Sequence, residues 1–399
     1  MYLEKIKAAR ENIQDVVTKT PIIYSDVFSK ESNNEIYMKC ENLQLTGAYK
    51  IRGALNKIRS LTEEKKKKGV VCSSAGNHAQ GVAYASTLEG VKSKIVMPKT
   101  TPLIKVQSTK NFGGEVVLHG NVYDDAYSEA KRIEEEEGLF LIHPFNDIDV
   151  ILGQGTLALE IFEEIKDIDV IVCPIGGGGL ISGVALAAKE INPSIKLIGV
   201  QAEGANAMEQ SFKKGKLINL DKVNTIADGI AVKSPGDLTY KFIKDYVDDI
   251  VTVSDGDITE SFIILTEKHK LLAEASGVAS LAALKKLNIK NKKIVSIISG
   301  GNIDMVTISS LINSGLVSRG RLFCFSVELP DTPGQLLEIS RILTSAGANV
   351  IQLEHNQFKA IDRLKNVLLE VTVETNGHSH IETIKKDLAN SGYSINHVY

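Results

Sequence analysis

The chain has 399 residues, 43% of them apolar and 24% charged, with a formal net charge of −3. That length predicts two or three domains, and the composition is that of a globular protein with ample material for a core. The charge balance excludes an electrostatic case for nucleic acid or an anionic membrane as partner, and no stretch approaches the roughly 18–20 uninterrupted apolar residues that span a bilayer.

The opening "MYLEKIKAARENIQDV" is broken by acidic residues and followed by no apolar run, so no secretory or transit signal is expected. Next comes "LTGAYKIRGALNK", in which Lys50 stands among Tyr49, Ile51 and Ala54. Alone, it reads as the edge of an amphipathic helix with its ammonium in water. From residue 20 to about 312, apolar β-branched runs alternate with helix-length amphipathic segments. The strand candidates are "EIYMKC", "GVVCSS", "KIVMP", "GEVVLHG", "LFLIH", "VIVCPIGG", "KLIGVQ", "DIVTVS" and "KIVSIISGG". Helical patterns such as "DDAYSEAKRIEEEEG" and "ISGVALAAKEINP" lie between them. This alternation predicts an α/β fold with mostly parallel sheets covered on both faces. The charge-dense stretches at 63–68 and 134–137 are expected on wet helix faces or ends.

The pattern changes after "NSGLVSRGR", from which a linker is expected over 316–321. Beyond it, "LFCFSVELP", "GQLLEISRILTSAG", "NVIQLEHNQF", "NVLLEVTVET", "HIETIKKDLANSG" and "YSINHVY" read as β-α-β-β-α-β. That order over 322–399 predicts a ferredoxin-like domain. "HSH" at 378–380 has no partner ligands and reads as a solvated loop entering a helix. Cys40, Cys72, Cys173 and Cys324 show no CxxC spacing, and are expected as small hydrophobes in a reducing cytoplasm.

Three strand ends carry candidate ligand groups. Gly176, Gly177, Gly178 and Gly179 separate a strand from a helix, where absent Cβ atoms and free N–H groups suit an anion, phosphate above all. The glycines run into Leu-Ile rather than Lys-Ser/Thr, which disfavours a nucleotide P-loop. "SSAGNHAQG" places Ser74, Ala75, Asn77 and His78 at a second strand end, as helix caps or a carboxylate pocket. Ser299 ends a third strand before Gly300, Gly301 and Asn302. Ligands of open parallel sheets collect outside the carboxyl ends of strands, so these ends and Lys50 are candidates for one cleft.

"TGAYKIRGA", "SSAGNHAQGVA", "GGGGL" and "SGGN", in this order, resemble the threonine dehydratases (threonine ammonia-lyases), fold-type-II enzymes that use pyridoxal 5′-phosphate. The resemblance covers roughly residues 1–315, with a smaller subdomain near 45–150. The tail resembles an ACT regulatory domain, most clearly in "ELPDTPGQLLEIS" and "AGANVIQL". The resemblance implies that Lys50 forms the Schiff base with the cofactor. It implies that Gly176 to Gly179, with Leu180, cradle the cofactor phosphate, that Asn77 binds the 3′-hydroxyl and that Ser299 meets the pyridine nitrogen. Ser74, Ala75, Asn77 and His78 match the clamp for the substrate carboxylate. A neutral serine at the pyridine nitrogen makes a weaker electron sink than an aspartate would, favouring loss of a β-hydroxyl over transamination.

Two departures stand out. Many family members read Ser-Phe-Lys where this chain has Ala48-Tyr49-Lys50, and related serine racemases carry a serine acid/base where Ala75 stands. Glu203, Ala207 and Glu209 fall at the spacing of a cation site in those racemases, so a monovalent or divalent cation is a further expectation. The implied activity is deamination of L-threonine to 2-oxobutanoate and ammonia, with L-serine giving pyruvate as a side reaction. The competing readings are a serine dehydratase or racemase, or a non-catalytic amino-acid sensor. An effector, an amino acid such as isoleucine or valine or else a nucleotide, and a homo-oligomer, dimer or tetramer, are the tail's implied partners. Gly334 and the "AGANV" turn would flank its site.

Overall fold

A computed structural model describes residues 1–356 and 365–399. The chain divides into two compact units, Met1–Asp304 and Met305–Tyr399. In chain order the strands of the first unit are β1 (Ile22–Tyr24), β2 (Glu35–Cys40), β3 (Val70–Ser73), β4 (Ser93–Met97), β5 (Glu115–Leu118), β6 (Phe140–Leu141), β7 (Val170–Pro174), β8 (Lys196–Ala202), β9 (Asp249–Val253) and β10 (Lys293–Ile298). Those of the second are β11 (Leu322–Pro330), β12 (Asn349–Asn356), β13 (Asn366–Glu374) and β14 (Ile395–His397). Among the described residues, no helix is long and apolar enough to cross a membrane.

The first unit holds two sheets. The larger has the order β1-β2-β10-β7-β8-β9, parallel except for β1, which runs antiparallel to β2. The smaller is fully parallel, in the order β5-β4-β3-β6. Strands covered on both faces need apolar side chains on both, and all five residues of β7 are buried. Ile171 and Cys173 pack with Val184 of the helix Gly179–Ile191 and Ile151 of the helix Ile148–Glu164. In the smaller sheet, Val70 and Cys72 pack with Ile51, Leu55 and Ile58 of the helix Lys50–Ser60.

The chain leaves the larger sheet after β2, builds the smaller sheet, and returns at β7. Strand β10 then inserts between β2 and β7, pairing Ile298 with Cys40 and Ser296 with Val172. The carboxyl ends of three neighbouring strands therefore meet at one place, and residues 41–50, 175–179 and 299–302 issue from it.

The second unit has an antiparallel sheet, β12-β13-β11-β14, with the chain order β-α-β-β-α-β from residue 322 on. Phe323, Phe325 and Val327 of β11 pack with Ile339 and Leu343 of the helix Gln335–Ser345 and Ile384 and Leu388 of the helix His378–Asn390.

Three expectations are corrected. The linker over 316–321 begins inside a helix, Met305–Ser318, whose buried side is set by Leu311 and Gly315 one turn apart, and the chain turns only at Gly320 (φ +63°). "HSH" is no solvated loop: it forms the first turn of the helix His378–Asn390, with His378 and His380 bonded to the carbonyls of Ser318 and Ala346. "LFLIH" shrinks to β6, which pairs only Phe140 and Leu141 with Val70 and Val71. Strand β1, three residues long, carried too short a pattern to be read. The last two residues of "NVIQLEHNQF" lie outside the described residues.

Candidate active site

Lys50 is delivered to the meeting point by backbone pairing. Ala48 bridges Gly300, the Tyr49 N–H donates to the Ser299 carbonyl at 3.1 Å, and the Gly301 N–H donates to the Gly47 carbonyl at 2.8 Å. Gly47 has φ +71°, and a Cβ there would fall 2.3 Å from Asn302 Oδ1, so only glycine makes this turn. The chain then enters the helix Lys50–Ser60 with Lys50 as its first residue. Lys50 Nζ donates to the Pro144 carbonyl at 2.8 Å and stands 5.2 Å from the centre of the Tyr49 ring. Burial pushes its ammonium down to about 8, against a smaller opposing pull from Glu274. An amine that sheds its proton this close to neutrality is available as nucleophile and base.

Opposite lies the glycine turn. Gly178 has φ +96° and precedes the helix Gly179–Ile191, whose first N–H groups have no partner within the helix. A Cβ on Gly177 would sit 2.4 Å from the Phe145 ring, and one on Gly179 would sit 2.9 Å from Phe145 Cβ. Phe145 thus excludes side chains at Gly177 and Gly179, Ile243 and Thr239 crowd Gly178, and the turn lines a cavity of about 580 Å³ with bare backbone. Thr239 Oγ1 holds the Gly177 carbonyl at 2.6 Å, and Leu180 is buried beneath the turn.

The third wall comes from the smaller sheet. After β3, residues 74–76 lead into the helix Asn77–Leu88, and Ser74 Oγ accepts the Gly76 N–H at 3.3 Å. Ser74, Ala75, Asn77 and His78 all line the cavity. His78 is buried with Nε2 3.0 Å from the Ile142 carbonyl, and burial drives its ring down to about 3, so it is a neutral wall and not a cation. Ser299 is 4% exposed at the carboxyl end of β10 and also faces the cavity. Lys50, Ser74, Ala75, Asn77, His78, Gly176 to Gly179, Leu180 and Ser299 therefore share one cavity.

Glu203 and Glu209 are elsewhere, each beside a lysine: Glu203 lies 3.5 Å from Lys286, and Glu209 pairs with Lys213. The Ala207 carbonyl accepts from Ser211 Oγ at 2.6 Å. Among the described residues no group of three or more His, Cys, Asp or Glu gathers as a metal site would need.

Several cavity residues escaped the sequence reading. The segment 143–147 supplies Pro144 to Lys50 and Phe145 to the glycine turn. His143 Nδ1 accepts the Asn146 N–H at 2.8 Å, and Asp147 caps the helix Ile148–Glu164. Burial holds His143 neutral, down to about 4. Lys105 and Asp228 form an ion pair of 2.5 Å between two parts of the cavity lining. Glu274, 6% exposed, accepts from Asn77 Nδ2 at 2.7 Å. "HPFND" offered a turn signal next to a histidine; Glu274, a single acid between two helices, offered none.

A primary amine of lowered basicity, sharing a cavity with a side-chain-free anion cradle, fits an aldehyde coenzyme held through a phosphate. The comparisons agree. A model described as "Pyridoxal-phosphate dependent enzyme" matches residues 13–300, and the chain belongs to that family, whose cofactor is pyridoxal 5′-phosphate. It is 46% identical over 394 residues to an L-threonine ammonia-lyase of Thermotoga maritima, covering 98% of each chain. The threonine deaminase isoform 2 of Solanum lycopersicum is similar in structure, with a TM-score of 0.75, 38% identity and coverage of 78% of this chain and 86% of that one. A maize serine racemase gives the same TM-score at 40% identity, covering 79% and 98%.

Proposed function

We propose that the chain is an L-threonine ammonia-lyase, converting L-threonine to 2-oxobutanoate and ammonia and acting on L-serine more weakly to give pyruvate. The observation that carries this is the Lys50 amine, brought down to about 8 inside a cavity that it shares with the glycine turn. The coenzyme, when bound, supplies the electron-withdrawing ring that makes a substrate Cα–H acidic. The protein's residues do the rest. Gly176 to Gly179 and Leu180 hold the phosphate through backbone N–H groups. Ser74, Ala75, Asn77 and His78 bound the substrate carboxylate, with Ser74 Oγ and the backbone as donors. Asn77 and Ser299 address the ring's hydroxyl and nitrogen. Lys50 takes the Cα proton, its stem fixed at the head of a buried helix.

The threonine methyl adds only about 1–3 kcal/mol of discrimination, so serine remains a substrate. Racemisation is disfavoured, since Ala75 brings no hydroxyl to return a proton to the opposite face. The test is incubation of purified holoenzyme with each amino acid. 2-Oxobutanoate formed faster than pyruvate supports the reading, whereas D-serine outpacing both would replace it with a racemase, and no oxo acid at all with a sensor.

For the tail, we propose an ACT regulatory domain over 322–399 that assembles a dimer or tetramer and takes an amino-acid effector between two copies near Gly334 and residues 346–350, a nucleotide being the alternative effector. Support comes from its β-α-β-β-α-β order and from the similarity to the Thermotoga enzyme, which extends over 98% of the chain. The exposed apolar side chains Leu337, Ile351 and Leu353 suit a contact between copies. An isoleucine response that survives deletion of 322–399 would remove the regulatory role. Four free, buried cysteines are consistent with a reducing cytoplasm.

A further inference from the structure

Asn77 is one member of a chain of polar groups that runs behind the cavity. Asn302 Nδ2 donates to the Thr46 carbonyl at 2.7 Å and to Asn77 Oδ1 at 2.8 Å, and Asn77 Nδ2 donates to Glu274 Oε1 at 2.7 Å. The direction of this chain is fixed by its Thr46 end. A carbonyl only accepts, so the Asn302 amide must turn its nitrogen to Thr46. Its second N–H then reaches Asn77 Oδ1, which obliges Asn77 to turn its own nitrogen to the carboxylate. One Asn77 N–H is left for the cavity.

The backbone is cleared to let these groups meet. A Cβ on Gly300 would lie 2.7 Å from Glu274 Oε1 and 3.0 Å from Asn77 Nδ2, and a Cβ on Gly47 would strike Asn302. Glu274 is itself pinned, its N–H donating to the Gly300 carbonyl at 3.1 Å. Two glycines, two amides and a nearly inaccessible carboxylate are more than is needed to close a turn.

We propose that Glu274, with Asn302, is a positioning residue that locks the Asn77 amide so that its remaining N–H serves the coenzyme ring. This rests on the assignment of Asn77 to the coenzyme. The charged groups around the Glu274 carboxyl come from three other elements: Lys50 at the head of its helix, Lys105 on the helix Leu103–Asn111, and Asp228 on the turn Asp228–Ile230. Burial and then Asp228 push Glu274 up to about 7, while Asn77, Lys105 and Lys50 draw it back. Below that pH the carboxyl gains a proton and becomes a weaker acceptor for Asn77. Grip on the coenzyme therefore loosens as pH falls from about 8 to about 6.

The test follows loss of coenzyme from diluted full-length holoenzyme by absorbance, for wild type, N77A, E274A, E274Q and N302A across pH 6–8.5. Glu274→Ala is expected to speed release about tenfold at pH 8, and Asn302→Ala to act in the same direction. Glu274→Gln keeps an acceptor but cannot titrate, so release stays within about threefold of wild type and its dependence on pH flattens. That flattening is a readout a merely structural role would not move, and it decides the matter if E274A fails to fold. Accelerated release by N77A, with E274A like wild type or with the pH profile of E274Q the same as that of wild type, overturns the role of Glu274 and leaves the Asn77 assignment standing. Wild-type release by N77A overturns that assignment first.

Discussion

Two adjoining regions treat a withdrawn cation in opposite ways. Behind the helix Lys50–Ser60, Lys39 and Arg52 are buried against Glu41 and Glu160: Lys39 Nζ lies 2.6 Å from Glu160, and Arg52 reaches Glu41 at 2.8 Å and Glu160 at 2.6 Å. Two positive charges face two negative ones. Two residues away from Arg52, Lys50 meets a carbonyl and a ring face, neither of which carries a full charge. Paired carboxylates hold the Arg52 guanidinium charged against its burial, whereas burial without an ion-pair partner drives the proton off Lys50. The same physics gives one region to structure and the other to chemistry.

Replacing the amine tests the contrast most sharply. Lys50→Ala is expected to lower turnover of threonine by about 10⁴-fold or more. Its melting temperature should stay close to wild type, since the side chain makes one hydrogen bond to a carbonyl. Borohydride reduction should tag wild type, and not this variant, at position 50. The coenzyme-free wild-type protein should react with added aldehyde at a rate that rises through pH 8, because the neutral amine is the reactive form.

Breaking the other region should do the reverse. Glu160→Ala leaves Lys39 and Arg52 short of one carboxylate in a site closed to water, a loss of about 3–5 kcal/mol in stability by denaturant titration. Glycine at the anion cradle marks the middle ground. Gly177→Ala drives a methyl into Phe145, so coenzyme affinity should fall by about tenfold, measured by equilibrium dialysis, with a smaller effect on stability.

How far the sequence disclosed all this depends on the range of each signal. β7 and β10 were legible because strands buried on both faces read as continuous apolar runs. The turn at Gly176–Gly179 was legible because four glycines between a strand and a helix have few other uses. Lys50 was not distinctive alone, and became so only beside three other motifs. Glu274 and Pro144 were silent, since their roles arise from chain segments far apart in sequence brought within 3 Å. Helix Met305–Ser318 was misjudged at its end because Gly315 and Gly320 look alike on paper, while one is packed inside the helix and the other turns the chain.

The position of β10 bears on how the molecule comes into being. Its six residues fill the slot between β2 and β7, yet they are synthesised more than 250 residues after β2 begins. Until they emerge from the ribosome, both neighbours present open hydrogen-bonding edges to whatever is near. The larger sheet is therefore expected to zip up late and slowly, with the nascent chain in need of chaperone cover until its own missing piece arrives.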